Sequence, residues 1–288
     1  MTKHSALLSF ALGLALFPCN ASAKGTLIDD SRAVIQLPSE MSTEATYPVL
    51  LSLRSDGDAR AAVEAWSQAA EKRRWIVVGS KECRNDVTFT ELLPKLEALL
   101  KDVQKRYPVD STRIIVAGYA GGAMAAHALV FSHPEWSSGL VINTGIMHPS
   151  FARQIAAYPK GKWAVFLASP TDFRYEDMKR DRAFLEKFQW QTEWIEFEGG
   201  HAVAPQAAHE MAARWLDERL PRPIIRENQG AVLTPASAPA QGNAEKKTAE
   251  ATESKGQKQD ERKGTLKPPE KNVNADNSGV LKNQDGGE

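Results

Sequence analysis

The stretch RIIVAGYAGGAMAA, Arg113 to Ala126, decides the fold. Its β-branched apolar run, Ile114 to Val116, predicts a buried parallel strand, and the alanine-rich residues that follow predict a helix. The residues between the two are small and permit a very sharp turn: Gly118, Ala120, Gly121 and Gly122. A strand–turn–helix unit of this kind lifts the residue at the centre of the turn, Ala120, to one edge of a sheet.

Short apolar runs alternate with longer amphipathic stretches from residue 24 to residue 221. The predicted strands are Ala33–Leu37, Val49–Leu53, Trp75–Val78, Ile114–Val116, Leu140–Asn143, Trp163–Leu167 and Thr192–Phe197. The predicted helices include Ala59–Arg73, Thr90–Tyr107 and Pro205–Leu220. This alternation predicts an α/β fold with a mostly parallel sheet and helices on both faces. Ligands in such folds bind beyond the carboxyl ends of the strands, so the loops that follow the strands are the predicted location of the functional site.

Two polar residues follow predicted strands at that edge. Asp172 comes after Trp163–Leu167, and His201 comes after Thr192–Phe197. The order of turn, acid and histidine is that of a catalytic triad whose serine sits in a G-x-S-x-G turn. In a working triad the histidine takes the proton of the serine, and the acid fixes the tautomer of the imidazole. In this chain Ala120 stands where the serine would be.

From about Val34 to Leu220 the chain resembles the secreted esterases related to polyhydroxybutyrate depolymerases and feruloyl esterases, within the α/β-hydrolase family. The similarity rests on the run from Val109 through the turn to Ala125 and on the loop Gly199-Gly200-His201. It implies an α/β-hydrolase fold in which Asp172 and His201 are the remnant acid and base. Asp177 lies close by and is an alternative for the acid.

The chain departs from that family at a second place besides Ala120. After the strand Val49–Leu53, Arg54 and Ser55 replace the His-Gly that the family usually carries. The family uses this loop to donate one backbone N–H group to the developing oxyanion, and the other would come from Gly121. Both departures therefore affect acyl transfer.

Two hypotheses about function follow. The first is an exported pseudo-enzyme that binds a small-molecule or protein ligand through the former active-site pocket. The second is a carboxylic ester hydrolase that uses a different nucleophile, or water activated by His201. A triad without its nucleophile retains roughly 10³–10⁴-fold over water, against about a million-fold more when complete, which favours the first hypothesis.

A replacement nucleophile would come from Tyr119 or Cys83. Tyr119 adjoins the turn, although an aromatic residue there usually packs. Cys83 follows a strand at the correct edge, and Lys81 and Arg84 beside it would favour a thiolate. The alternative for Cys83 is a small buried thiol without a chemical role.

The remaining histidines are not expected to form a metal site. His127, His133 and His209 lie on predicted helices, where a surface or packing role is expected, and His148 lies on an edge loop, where it would line the pocket. No spacing typical of a metal site joins them, so neither a metal nor another cofactor is expected.

The two ends of the chain differ from the middle. Residues 1–23 have the layout of a secretory signal peptide, with Lys3 before an apolar run and small residues up to Ala23, after which we expect cleavage. An uncleaved anchor is the alternative, and Pro18 argues against a lipoprotein site at Cys19. Residues 222–288 contain no aromatic residue and are expected to be a disordered polar tail.

Composition limits the partners and the location. Lys and Arg number 36, as do Asp and Glu, so the formal net charge is +0 and nothing indicates nucleic-acid binding. The mature chain contains no predicted transmembrane segment, and the signal peptide predicts a secreted or periplasmic protein. Cys83 would be its only cysteine, so an internal disulfide is not expected.

Overall fold

An eight-stranded sheet forms the centre of the part of the chain that the computed structural model describes, residues 25–42 and 44–221. The strands are β1 (Leu27–Asp29), β2 (Ala33–Gln36), β3 (Tyr47–Arg54), β4 (Ile76–Ser80), β5 (Val109–Tyr119), β6 (Gly139–Asn143), β7 (Trp163–Ala168) and β8 (Gln191–Glu196). Their order across the sheet is β1-β2-β4-β3-β5-β6-β7-β8. The pairs β1–β2 and β2–β4 are antiparallel, and every other pair is parallel.

Helices cover both faces of this sheet. They are α1 (Ala59–Glu64), α2 (Ser67–Arg73), α3 (Phe89–Arg106), α4 (Gly121–Ser132), α5 (Pro149–Ala152), α6 (Tyr175–Lys187) and α7 (Gln206–Asp217), with a 3₁₀ turn at Ile155–Ala157. One hydrophobic core lies between the sheet and α3, α4 and α6, and the other lies between the sheet and α1, α2 and α7. Leu50 packs into one core and Leu51 into the other, because successive side chains of a strand point to opposite faces.

Three details differ from the prediction. The expected helix Ala59–Arg73 is two helices, because the chain breaks at Trp66, whose buried ring packs edge-on against His209 at 4.6 Å. The expected strand Ile114–Val116 is the centre of the eleven-residue β5. The short edge strand β1 was not predicted, since its three residues are largely exposed and carry no alternating pattern.

The two ends of the chain, residues 1–24 and 222–288, lie outside the described residues. They contain the predicted signal peptide, residues 1–23, and the predicted disordered tail, residues 222–288. Within residues 25–42 and 44–221, none of the helices is both long and apolar enough to cross a membrane.

Candidate functional site

The turn between β5 and α4 has an unusual backbone conformation. Ala120 has φ 52° and ψ −124°, a region that residues other than glycine rarely occupy. Its amide donates to the carbonyl oxygen of Asn143 at the end of β6, at 3.1 Å. Such a conformation costs roughly 1–3 kcal/mol and persists only where the surroundings enforce it. Ala120 therefore stands at a sharply bent, strained position at the carboxyl edge of the sheet.

Two glycines enforce this conformation by close backbone contacts. A Cβ atom added to Gly118 would lie 2.2 Å from the carbonyl oxygen of Gly122, and one added to Gly122 would lie 2.3 Å from the carbonyl oxygen of Leu53. Neither contact leaves room for a side chain. The first turn of α4 is thus pressed against both β5 and the end of β3.

The loop after β3 lies directly against the start of α4. A Cβ atom added to Gly121 would lie 2.9 Å from Cβ of Ser55 and 3.6 Å from Oδ1 of Asn85. Ser55 is buried, and Asn85 comes from the loop after β4. A β-bridge between Asp56 and Arg84 joins these two loops. Three neighbouring strands therefore deliver residues to one place beside Ala120.

Arg54 is engaged within this loop. Its guanidinium binds Asp56 through two hydrogen bonds of 3.1 Å and 2.5 Å, which lower the pKa of the Asp56 carboxyl and raise that of Arg54. The same guanidinium lies over the ring of Tyr119, 5.1 Å from its centre. The Tyr119 hydroxyl donates to the carbonyl oxygen of His201 at 3.3 Å, so Tyr119 connects the β3 loop to the β8 loop.

Asp172 and His201 form a hydrogen-bonded pair on the other side of Ala120. Nδ1 of His201 lies 3.1 Å and 3.3 Å from the two carboxylate oxygens of Asp172. The Asp172 side chain is fully buried and also accepts from the amide of Arg174 at 2.7 Å, whereas the His201 side chain is 30 % exposed. Asp177, the alternative acid, pairs with Arg174 and Arg180 instead. The acid that contacts the histidine is therefore Asp172.

The loops that carry this pair are tied together by further contacts. The Ser169 hydroxyl accepts from the amide of Gly200 at 2.9 Å, and the Thr144 hydroxyl donates to the carbonyl oxygen of Ala202 at 3.0 Å. The ring of Phe173, which is 62 % exposed, lies 4.7 Å from the imidazole of His201. The histidine is consequently held in place from several sides, beside an exposed aromatic ring.

The prediction that Cys83 could serve as a thiolate nucleophile is wrong. Cys83 is fully buried in the hydrophobic core, and desolvation raises the pKa of its thiol to about 12. The two cations expected to favour a thiolate have other partners, because Lys81 pairs with Asp29 and Arg84 pairs with Asp86. The alternative interpretation, a small buried thiol, is confirmed.

His148 is at the N-cap of α5. Its Nδ1 accepts from the amide of Ser150 at 3.2 Å, and its ring packs edge-on against Phe89 at 4.3 Å. These contacts give His148 a capping and packing role, and the pocket-lining role that the sequence suggested stays a prediction.

The histidines predicted on helices have packing roles. His127 is buried, and its Nε2 lies 2.6 Å from the Tyr158 hydroxyl; desolvation lowers its pKa to about 3. His209 is buried as well, with a pKa lowered to about 4 by desolvation, and His133 stacks on Trp136 at 4.0 Å. In the described part of the chain, no group of three or more His, Cys, Asp or Glu side chains is arranged to hold a metal ion.

A small cavity of about 20 Å³ lies beneath the site, lined among others by Arg54, Trp66, Tyr119 and His209. That volume is about what one water molecule needs. Asn85 was the residue missed by the sequence analysis, although it stands two positions after Cys83 in a loop that was expected to matter. Its polar side chain was the available signal, but only the contact with Gly121 shows that it reaches the turn.

Known structures share this architecture, although no protein-family model matches the sequence. FphF, a fluorophosphonate-binding serine hydrolase of Staphylococcus aureus, aligns with a TM-score of 0.56 at 10 % identity, covering 68 % of this chain and 99 % of that one.

Two esterases are similar to the same extent. A carboxylesterase of Bacillus cereus aligns with a TM-score of 0.52 at 18 % identity, covering 65 % of this chain and 93 % of that one. EstE1, a thermostable carboxylesterase cloned from a metagenomic library, aligns with a TM-score of 0.54 at 14 % identity, covering 70 % and 92 %. The sheet order, the parallel pairing and these neighbours together establish that the chain has the α/β-hydrolase fold.

Proposed function

We propose that this protein is an exported α/β-hydrolase-fold pseudo-enzyme, related to secreted esterases of the polyhydroxybutyrate depolymerase and feruloyl esterase type. It binds a small-molecule or protein ligand at the former active site. The observation that carries the proposal is Ala120, which occupies a strained turn with φ 52° and supplies no nucleophilic atom. Strain at such a turn is typical of a position that presents a nucleophile, and here alanine replaces the serine.

The loop after β3 supports the same conclusion independently. Ser55 packs against Gly121, the residue whose amide would hold the oxyanion in an active relative. A side chain in this place crowds the space that a substrate carbonyl oxygen would need. The chain lacks the nucleophile and also has an obstructed oxyanion site. These two features together are better explained by a protein that is not under selection for acyl transfer than by an active enzyme with one substituted residue.

A second candidate function is hydrolysis of carboxylic esters by water activated at His201. The hydrogen bond that Nδ1–H of His201 donates to the Asp172 carboxylate favours this function, because it orients the imidazole as in a working triad and leaves Nε2 for a water molecule. This route would lack covalent catalysis, so we rank it below the first.

Export is part of the proposal and rests on the sequence of residues 1–23. Cleavage after Ala23 would release a chain that begins at Lys24 into the periplasm or the medium. N-terminal sequencing of the protein from a cell fraction tests this directly, and a cytoplasmic chain that still begins at Met1 would contradict it.

The decisive experiment combines a covalent probe with an activity assay. A fluorophosphonate probe should not label the purified mature chain, because it requires an activated serine and Ala120 has no oxygen. Stoichiometric labelling at any serine would contradict the proposal. Hydrolysis of a short-chain nitrophenyl ester should equal that of the His201→Ala variant. A wild-type rate well above that of His201→Ala would establish the second candidate function instead.

A further inference from the structure

A second cavity, larger than the one beneath the site, lies at the opposite edge of the sheet. Its volume is about 550 Å³, and residues of β1, β2, α1 and α2 line it. One of them, Gln36, pairs with Val77 near the start of β4, which places the cavity at the amino ends of the parallel strands. The site around Ala120 is at their carboxyl ends. The cavity is therefore separate from the former active site.

Glu71 of α2 places an unpaired carboxylate oxygen at the wall of this cavity. Its Oε1 accepts from the amide of Ser39 at 3.0 Å and also from the Ser39 hydroxyl, so the orientation of the carboxylate is fixed. Its Oε2 is buried and has no hydrogen-bond partner in the described part of the chain. A buried charged group with an unsatisfied oxygen is destabilising, and it requires an explanation.

The other charged residues of the cavity wall do not neutralise this carboxylate. Arg60 pairs with Asp29 at 2.9 Å, and Lys72 pairs with Glu210 at 3.5 Å. Glu64 is exposed and adds a second negative charge. Among the described residues, the cavity wall thus offers no unpaired cation, and its charges favour a positively charged group as the partner of the buried oxygen.

The backbone of Gly25 lies directly against the unpaired oxygen. A Cβ atom added to Gly25 would lie 2.8 Å from Oε2 of Glu71 and 1.9 Å from the carbonyl oxygen of Leu37, so no other residue fits there. The Leu37 amide donates to the carbonyl oxygen of Thr26 at 2.8 Å, which holds this part of the backbone in place. The Cα atom of Lys24 is about 3.8 Å from that of Gly25 by covalent geometry alone. The α-nitrogen of Lys24 is therefore within reach of the Glu71 carboxylate.

We infer that the α-ammonium group of Lys24, released by signal-peptide cleavage, forms an ion pair with Glu71. This inference rests on the cleavage after Ala23 that is part of the proposed function. Hydrolysis of that peptide bond consumes one water molecule and leaves a carboxyl group on Ala23 and an amino group on Lys24, which takes up a proton at neutral pH. In the precursor the same nitrogen is an uncharged amide. The ion pair is thus a contact that only the mature chain can form.

The α-ammonium is a better partner than the ammonium of the Lys24 side chain. Ordering a long lysine side chain costs conformational entropy, whereas the α-nitrogen is attached directly to a backbone that β1 and β2 already hold. The inference therefore does not depend on the identity of the side chain at position 24.

Labelling of amino groups by acetic anhydride, followed by mass spectrometry, tests the ion pair in a chain prepared to begin at Lys24. Only the unprotonated amine reacts, and a carboxylate partner raises the pKa of an α-amino group above its usual range of about 7.7–8.0. At pH 8 we expect the α-amino group to react at least about tenfold more slowly than in Glu71→Gln, which keeps an acceptor for Ser39 but no charge. Glu64→Gln, which removes an exposed carboxylate of the same cavity, is the matched control and should change the rate less than about twofold. Lys24→Ala keeps the α-amino group and should react as slowly as the wild type.

Thermal unfolding provides a second measurement. One glycine added before Lys24 moves the ammonium group away from Glu71, and we expect it to lower the melting temperature by about 2–4 °C. The same addition in Glu71→Gln should have no effect. Circular dichroism of each variant shows that it has folded before its labelling is compared.

Several outcomes would overturn the inference. Equal labelling rates in wild type and Glu71→Gln would show that the α-ammonium is not paired with this carboxylate. Fast labelling in Lys24→Ala would assign the contact to the lysine side chain, and equal stabilisation of the chains with and without the added glycine by ethylammonium chloride would assign the cavity to an external amine. Because the chain is prepared to begin at Lys24, these results do not depend on export. The proposed cleavage fails separately, if N-terminal sequencing of the exported protein finds a different first residue.

Discussion

The two sides of the site differ in which features of a catalytic triad they carry. On the side of α4 the backbone retains a strained turn, but Ala120 has no reactive atom and Ser55 fills the adjoining space. On the side of β7 and β8 the reactive groups are present, with Asp172 and His201 in hydrogen-bonding contact. The α4 side thus has the strained turn without a nucleophile, and the side of β7 and β8 has the acid–histidine pair that a catalytic triad would need.

The difference shows that the two features depend on different interactions. The turn is enforced by backbone contacts at Gly118 and Gly122, which do not involve the side chain at position 120. The side chain at position 120 can therefore change while the turn keeps its conformation. The acid–histidine pair is itself a contact between two loops, so it contributes to structure even in the absence of catalysis. Its persistence alone is not a sign of activity.

The largest expected effect is on the α4 side. Gly118→Ala would place a Cβ atom 2.2 Å from the Gly122 carbonyl oxygen and 2.4 Å from the Ala123 nitrogen, both of them backbone atoms. We expect the free energy of unfolding to fall by at least about 3 kcal/mol, as measured by chemical denaturation.

Gly161→Ala is the matched control for this variant. Gly161 has a positive φ of 68°, which Gly118 does not, but no atom would lie within 4 Å of a Cβ added to it, so only backbone strain of about 1 kcal/mol is expected. Equal losses in the two variants would show that the turn beside Ala120 is not enforced by packing.

The next effect tests whether a serine at position 120 would lie in catalytic register with His201 and Asp172. Ala120→Ser restores a hydroxyl, and we expect esterase activity that is feeble or absent, because Ser55 still crowds Gly121. Adding Arg54→His and Ser55→Gly should raise the rate by about 10²-fold, the typical effect of one oxyanion donor. Hydrolysis of a nitrophenyl ester measures both variants, and His201→Ala in the triple variant should abolish the gain.

Two results would contradict this expectation. Strong activity from Ala120→Ser alone would mean that the β3 loop is competent as it stands, and that only the serine has been lost. A folded triple variant without activity would mean that His201 and Asp172 are out of register with position 120.

Much of the fold could be predicted because its signals are local. The strand and helix on either side of Ala120 follow from residue types within a few positions, as do the loops that carry Asp172 and His201. The break between α1 and α2 could not be predicted, since it depends on the packing of Trp66 against His209, which lies far away in the sequence.

The site was less predictable for the same reason. The sequence placed Cys83 and Asn85 in one loop at the correct edge, but their roles depend on which side chain turns inward. Cys83 enters the core, and Asn85 reaches Gly121 because the loop is fixed by the bridge between Asp56 and Arg84. Such a bridge joins residues that have no recognisable pattern in the sequence.

A smaller effect should distinguish the structural role of the pair. Asp172→Ala leaves the Arg174 amide and Nδ1 of His201 without their acceptor, and we expect a loss of about 1–3 kcal/mol in the free energy of unfolding. Asp177→Ala, which removes a more exposed ion pair, should cost less than about 1 kcal/mol. Equal stability of wild type and Asp172→Ala would show that the pair does not tie the loops, which would strengthen the case for retained proton transfer.

The smallest expected effect is that of a thiol reagent on the folded protein. In the chain from Lys24 to Glu288, Cys83 is the only cysteine. Burial raises the pKa of its thiol from 9.0 to about 12. At pH 8 this lowers the thiolate fraction by about 10³-fold, and only the thiolate reacts. We therefore expect no labelling by Ellman's reagent on the timescale that modifies the same chain in denaturant. Rapid labelling of the folded protein would show that the loop after β4 opens, and that a nucleophile is available on the side of the site that otherwise has none.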